Sequence, residues 1–329
     1  MVQVVGGDLE TEGYLHLRDC IDASLVTPEL IRHIEATANN PAEGTGAIVR
    51  PQHTAETREI ERQTIAAIRD AAPGLDLHTR PRTTDPVQLA PGQPLIAIRV
   101  GPPPCPGAGG LGWHVDAFSY YLRAEHQNWY VCYTPILKEQ PSQSNLAIIP
   151  YSVLRKLHPE LYHYCKGRGA INVDRVGPED VEWARRVFPD DANPVQVGEW
   201  YAKDIYDDDS YGMRLKFDIE EHRVVPQLEK CDVLVFRADV IHRTEDTDCM
   251  RISIKSDLVP KAPPGPLPSL SYVWWWYFTH YKVAKMVVGM RRRYWPYRMA
   301  LVWRLVQLRF CLRDVKSIDD IRGAITRGG

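Results

Sequence analysis

His114 and Asp116 stand two residues apart in the run Gly112-Trp113-His114-Val115-Asp116-Ala117-Phe118. The run has strand character, and residues i and i+2 of a strand share a face. One metal ion is therefore within reach of both side chains. A third ligand must come from elsewhere in the chain. His242, just after the apolar run Val233-Leu234-Val235-Phe236, is the candidate. Two His and one carboxylate on one side of a metal leave open positions, the arrangement that suits a non-haem Fe(II) centre. Arg251 lies nine residues beyond His242. That spacing allows a short turn and a return on the neighbouring antiparallel strand. A guanidinium fork suits a carboxylate, because it makes two parallel bonds to it. A co-substrate with two carboxylates could meet the metal at one end and Arg251 at the other. Ser253 shares the face of Arg251 and adds a hydroxyl; Lys255, on the same face, ranks as a substitute for Arg251.

Other titratable residues read as structural. His126, His158, His163 and His222 have no partner at ligand spacing. Glu245, Asp246 and Asp248 read as a solvated turn beside His242, and Asp207-Asp208-Asp209 as a solvated face. Arg99 reads as half of an ordinary surface pair.

The elements that must position these residues are mostly strands. Gly13 to Leu17 opens the series. Helix patterns follow, one with Leu30, Ile31 and Ile34 on one face and one from Glu56 to Ala72, closed by Pro73-Gly74. Leu95 to Val100 is a strand that feeds a Pro- and Gly-rich loop and delivers the His114 run. Trp129 to Leu137, Asn145 to Pro150, Cys231 to Phe236 and Arg251 to Lys255 read as further strands. Residues 153–225 read as a helical insertion, with helices over Val153 to Cys165 and Glu179 to Val187. Strands with helices before and between them suit a β-sandwich or barrel wrapped by helices, not a regular βαβ series.

Bulk properties narrow the setting. The chain has 329 residues and a net charge of -2, so no global field argues for nucleic acid. The 7 Cys include no Cys-x-x-Cys pair and are odd in number. A disulfide framework or structural zinc site is not expected, and a reducing, cytoplasmic compartment is. No segment reads as a signal peptide or as an apolar run long enough to span a bilayer.

Four segments in order resemble Fe(II)/2-oxoglutarate-dependent dioxygenases of the phytanoyl-CoA dioxygenase type. Trp113-His114-Val115-Asp116 is similar to the family's Trp-His-x-Asp. Lys230-Cys231-Asp232-Val233-Leu234-Val235-Phe236, then His242 and Arg251, resembles its closing motif. Ser144 to Ser152 resembles its Asn-Gly-x-Leu-x-x-Ile-Pro-Gly-Ser strand, and Glu12-Gly13-Tyr14-Leu15 its opening strand. The resemblance covers roughly residues 8–258. Cys231 stands where Gly is usual, Tyr151 replaces the Gly of Pro-Gly-Ser, and Val153 replaces a frequent His. The run His114 to Phe118 also resembles the iron motif of bacterial Kdo hydroxylases over five residues. The phytanoyl-CoA resemblance implies a mainly β domain with flanking helices and a double-stranded β-helix (jelly-roll, cupin-like) core. It implies Fe(II) held by His114, Asp116 and His242, and 2-oxoglutarate received by Arg251, with Ser253 and Asn145 as further contacts. The implied reaction is oxygenation, most simply hydroxylation of a C–H bond in a small or lipid-linked substrate. Asp at position 116 argues against a halogenase. The rivals are a non-haem iron enzyme that does not use 2-oxoglutarate and a membrane-associated binding protein without turnover.

The catalytic domain is expected to span residues 1–258, with a basic, aromatic helical extension over 259–329. No Asp or Glu falls between Asp257 and Asp314, while ten Lys and Arg do. Trp274-Trp275-Trp276 and Arg291-Arg292-Arg293 lie in that span. Aromatic and cationic side chains together suit the surface of an anionic membrane, with residues 272–312 as the contact. Packing on the core or pairing of two subunits is the alternative.

Overall fold

Alternation sorts each strand's side chains to two layers. Along Tyr14–Arg18, Leu15 and Leu17 point one way and Tyr14 the other; along Val233–Arg237, Val233 and Val235 point one way and Leu234 and Phe236 the other. A strand buried on both faces belongs in the middle of a layered fold. The computed structural model describes residues 2–38, 44–45, 48–49, 51–75, 77–79, 96–100, 112–116, 130–143, 145–165, 171–187, 194–204, 212–245 and 249–260. Strand pairing continues to residue 260, two residues into the expected C-terminal extension; the rest of that extension, and with it residues 272–312, lies outside the described residues.

Two antiparallel sheets form among them. The first contains β1 (Gln3–Asp8), β2 (Tyr14–Arg18), β3 (Gly44–Thr45), β4 (Ile48–Val49), β5 (Leu77–Thr79), β6 (Ile96–Val100), β8 (Tyr130–Lys138), β13 (Val233–Arg237) and β15 (Arg251–Pro260). Its order is β1-β2-β13-β8-β15-β6-β4-β3, with β5 paired to β15. The second contains β7 (His114–Val115), β9 (Leu146–Ile148), β10 (Ile171–Arg175), β11 (Trp200–Asp204), β12 (Gly212–Arg214) and β14 (His242–Thr244), in the order β12-β11-β10-β7-β14-β9. The chain steps between sheets from β6 to β7 to β8 to β9, and again from β13 to β14 to β15. That winding is a jelly roll, and the core is a double-stranded β-helix.

One apolar cluster holds Tyr14, Val131, Leu234 and Phe236 of the first sheet with Leu146 and Ile148 of the second and Ile241 just before β14. Another joins Leu15, Leu17, Val233, Val235, Ile252 and Ile254 to two helices, α1 (Pro28–Ala38) and α2 (Ala55–Ala71), through Leu30, Ile34, Ile60 and Ile68. Each such buried aliphatic side chain contributes roughly 1.5–3 kcal/mol. Thr27 caps α1 through Leu30 N, and Thr54 and Thr57 cap α2 reciprocally.

Residues 153–225 differ from a purely helical insertion. The helix expected over Val153 to Cys165 is two short ones, α3 (Tyr151–Leu157) and α4 (Pro159–Cys165). Pro159 has no N–H and disfavours helical geometry at His158, which sits at φ -150°. Leu161 N then donates to His158 Nδ1, 3.2 Å away. Beyond α4 come α5 (Val181–Val187) and three strands, β10 to β12, that extend the second sheet from β7.

Cys231 has φ +71°, in the left-handed region where Gly is at home. Its buried position sets up Asp232, which accepts from His16 Nε2 at 2.9 Å and from the amides of Asp19 and Glu229. Burial alone would raise the Asp232 carboxyl, but these bonds hold it below its usual range. Cys231→Gly relieves about 1 kcal/mol of backbone strain and loses a similar amount in thiol burial and chain entropy. It should leave the urea midpoint nearly unchanged, whereas Cys231→Val, β-branched at positive φ, should destabilise by about 2 kcal/mol. Equal midpoints for the two variants would show that this turn is not held in the left-handed region.

Candidate metal centre

His114 and His242 are register partners across β7 and β14. Residues directly opposite in an antiparallel pair share a face, so the two imidazoles meet, with ring centroids 4.3 Å apart. Asp116 follows two residues after His114, and its Oδ1 lies 4.0 Å from His114 Nε2. One ligand atom from each of His114, Asp116 and His242 falls within 4.8 Å of the other two. The set comes from neighbouring strands of the second sheet and from the end of β7, and turns toward the first sheet.

The outer nitrogens are already committed. His114 Nδ1 lies 2.7 Å from Gly112 O, and His242 Nδ1 lies 3.0 Å from Val240 O. A carbonyl can only accept, so both Nδ1 atoms donate, which in a neutral ring leaves the lone pair on Nε2. Burial pushes His242 down to about 3, with His114 adding to the effect, so its imidazole is neutral at physiological pH. Burial alone would raise the Asp116 carboxyl. The Lys255 ammonium, 3.7 Å from Asp116 Oδ2, is the largest opposing influence, and the carboxyl ends below its usual range. Two imidazoles oriented through Nδ1 and one carboxylate held below its usual range fit a divalent first-row metal.

Facing this group, the first sheet presents Arg251, Ser253 and Lys255 from alternate positions of β15. Arg251 is fully buried; its Nη2 donates to Tyr133 Oη at 3.2 Å, and its guanidinium carbon lies 5.1 Å from the Tyr133 ring centroid. Ser253 is buried beside the same phenol. Lys138 is the register partner of Arg251 on β8. Burial brings its ammonium down to about 8, and the Arg251 charge adds to this. Its Nζ donates to Pro141 O, Leu228 O and Asn145 Oδ1. Asn145 also takes Leu228 N on Oδ1 and donates from Nδ2 to Pro141 O, so its amide holds Lys138 and ties two loops.

The structure thus brings His114, Asp116 and His242 together and sets Arg251 and Ser253 on the opposing sheet. Asn145 stands behind Lys138, and Lys255 sits on Asp116 instead of duplicating Arg251. Arg99 pairs in register with Ile252, which puts it on the helix side of the sheet. His158 lies 3.1 Å from Arg214 O, His163 is exposed and His222 packs on Phe217. Glu245 accepts from Arg243 and Arg223. His126, Asp246, Asp248 and Asp207 to Asp209 lie outside the described residues. The contact of Lys255 with Asp116, and Tyr133 beside Arg251, escape a reading built on ligand spacing. The polar residues at 251, 253, 255 and 257 are the signal that β15 turns one face to a polar cavity.

No family model matches the chain, and no curated protein is found similar to it. Solved structures are similar to it in fold. They include the epimerase SnoN in complex with Fe3+, alpha ketoglutarate and nogalamycin RO (13% identity, 77% of this chain and 81% of that one, TM-score 0.45). EctD from S. alaskensis with 2-oxoglutarate and 5-hydroxyectoine is another (12% identity, 77% and 73%, TM-score 0.43). HygX from Streptomyces hygroscopicus with nickel and 2-oxoglutarate bound is a third (12% identity, 77% and 85%, TM-score 0.40).

Proposed function

We propose that this chain is an Fe(II)- and 2-oxoglutarate-dependent oxygenase that most simply hydroxylates a C–H bond. The observation that carries the reading is the pairing of two features. Two carbonyl-oriented imidazoles converge with Asp116 on one sheet, and a fully buried Arg251 faces them from the other. His114, Asp116 and His242 would hold the metal. A bound Fe(II) would supply dioxygen activation coupled to oxidative decarboxylation of 2-oxoglutarate to succinate and CO2. Arg251, fully buried, would receive the far carboxylate of the co-substrate, with the Ser253 hydroxyl on the same face of β15. Lys138, held by Asn145, adds positive charge there. Lys255 keeps Asp116 ionised and fixes its orientation.

Substrate is expected along the second sheet. Asn172 is the register partner of His114, and Lys203 that of Asn172, so the three form a row on one face. At about 4.8 Å per strand, Lys203 stands about 10 Å from His114. Its ammonium lies 5.6 Å from the Trp183 ring centroid and 5.5 Å from that of Tyr201. Asp174, two residues from Asn172, shares the face, and its carboxyl is raised by burial and opposed by Lys203. A strip with an amide, a carboxylate and an ammonium suits the hydroxyl-bearing part of a small or lipid-linked substrate.

Peripheral contact with anionic membranes through residues 272–312 is part of this proposal, supported by their cations and tryptophans. The setting is cytoplasmic, in keeping with the free cysteines. Among the described residues no helix is long and apolar enough to cross a membrane.

The test is succinate formation by anaerobically purified protein given Fe(II), 2-oxoglutarate and then air, with and without anionic liposomes. Succinate that depends on Fe(II) supports the oxygenase. Iron binding with no 2-oxoglutarate binding would point to the iron enzyme that uses another co-substrate. Flotation with liposomes and no metal binding would leave the binding protein without turnover.

A further inference from the structure

Tyr151 opens α3, yet its phenol is buried among polar groups at the turn between β13 and β14. Its hydroxyl donates to Asp239 Oδ1. Arg237 Nε donates to the same hydroxyl at 3.1 Å and to Asp239 Oδ1 at 3.2 Å, and Arg237 Nη2 donates to Asp239 Oδ2 at 3.3 Å. Asp239 has no exposed surface and Tyr151 has 2%. The Tyr151 ring also fills the space over Gly13: a Cβ there would lie 2.8 Å from Tyr151 Cε2. Gly13 O in turn accepts from Arg237 N at 2.9 Å.

These bonds bear on a single short turn. Val240 N donates to Arg237 O at 3.0 Å, closing the turn whose second half carries Asp239. Val240 O is the acceptor that sets the tautomer of His242. Ile149 N donates to Ile241 O at 2.9 Å, so the residue before His242 is held from β9 as well. A shift of Asp239 therefore moves the carbonyl that aims the His242 ring.

We propose that Tyr151, with Asp239 and Arg237, is a positioning clamp for the distal metal ligand. It fixes the Val240 carbonyl, which keeps the His242 proton on Nδ1 and turns Nε2 toward His114 and Asp116. This rests on the metal-centre reading above. Partners that orient a metal-bound histidine typically change metal affinity 10–100-fold when removed.

The experiment uses the full chain with Tyr151→Phe and Asp239→Asn, and Leu30→Ala as a control that destabilises the distant helix layer. Ni(II) affinity is measured by titration, and the His242 tautomer by long-range 15N–1H NMR of the metal-free protein. The clamp predicts roughly 10-fold or greater loss of Ni(II) affinity in both clamp variants and a mixed tautomer at His242, with Leu30→Ala unchanged in both. Folded clamp variants within twofold of wild type, with His242 still protonated on Nδ1, would overturn it. Equal losses in Leu30→Ala would also overturn it, since general destabilisation would then account for the effect. If Tyr151→Phe does not fold, Arg237→Lys keeps the charge, loses the fork and is held to the same two readouts. Wild type that binds no Ni(II) while its His242 tautomer responds to the clamp variants would sink the metal centre and leave the clamp standing.

Discussion

His242→Ala is expected to bind Ni(II) or Fe(II) at least about 100-fold more weakly than wild type, beyond the range of partners that only orient a ligand. Succinate formation should fall below about 1% of wild type at a metal concentration that saturates the latter. The reason is geometric: His114 and Asp116 alone offer two donor atoms, and His242 supplies the third from the adjacent strand. The ring is also packed, with the Phe236 centroid 4.6 Å away. A melt of the metal-free variant separates the two contributions. Metal should raise the melting point of wild type and leave that of His242→Ala unmoved, because a ligand stabilises only a fold that binds it. A variant that retains wild-type affinity would remove His242 from the metal site.

Arg251→Ala is expected to weaken 2-oxoglutarate binding about 30-fold or more while leaving Ni(II) affinity within twofold. Truncating one partner of a buried, hydrogen-bonded charge pair loses about 2–5 kcal/mol, which sets that range. The variant also leaves Tyr133 Oη without its guanidinium donor. Arg251→Lys should fall between the two, since an ammonium keeps the charge and loses the planar fork. Co-substrate affinity is read from the dissociation constant of the anaerobic metal complex, which keeps turnover out of the measurement. Loss of metal binding together with co-substrate binding would mean that Arg251 supports the fold of the centre and not the co-substrate.

The candidate metal ligands are legible in the sequence because strand geometry is simple. His-x-Asp on an extended segment puts both groups on one side, and the apolar run before His242 marks the strand that delivers it. Strands β6, β8, β13 and β15 are legible for the same reason, as runs of aliphatic and aromatic residues that need burial. Strand β10 is harder: Ile171-Asn172-Val173-Asp174-Arg175 is short, with Asn172 and Asp174 polar on the face that carries His114 and Arg175 polar on the other, where it pairs with Asp218. Strand β1 carries Gly6-Gly7 and has little strand propensity of its own; pairing with β2 holds it. The Lys255–Asp116 contact and the Tyr151–Asp239 bond join residues 139 and 88 positions apart. No local pattern encodes such contacts, and only the packing of the sheets brings them together. Cys231 and Tyr151 look like simple departures at turns. In the fold the first tolerates a left-handed backbone, and the second fills the space above Gly13.

The direct pairing of His114 with His242 in the ladder has a consequence for how the chain acquires its structure. A slip of one residue between β7 and β14 turns one histidine away from the other, because side-chain direction reverses at every position. Misaligned pairings of these two short strands, distant in sequence, differ little in backbone hydrogen bonding, yet one alignment alone brings the two histidines together. If these residues hold a metal as proposed, an ion present during refolding would discriminate among alignments that the backbone itself barely distinguishes, and its binding energy would favour the correct one. For this fold the ion would serve as a proofreader of strand alignment before any chemistry takes place.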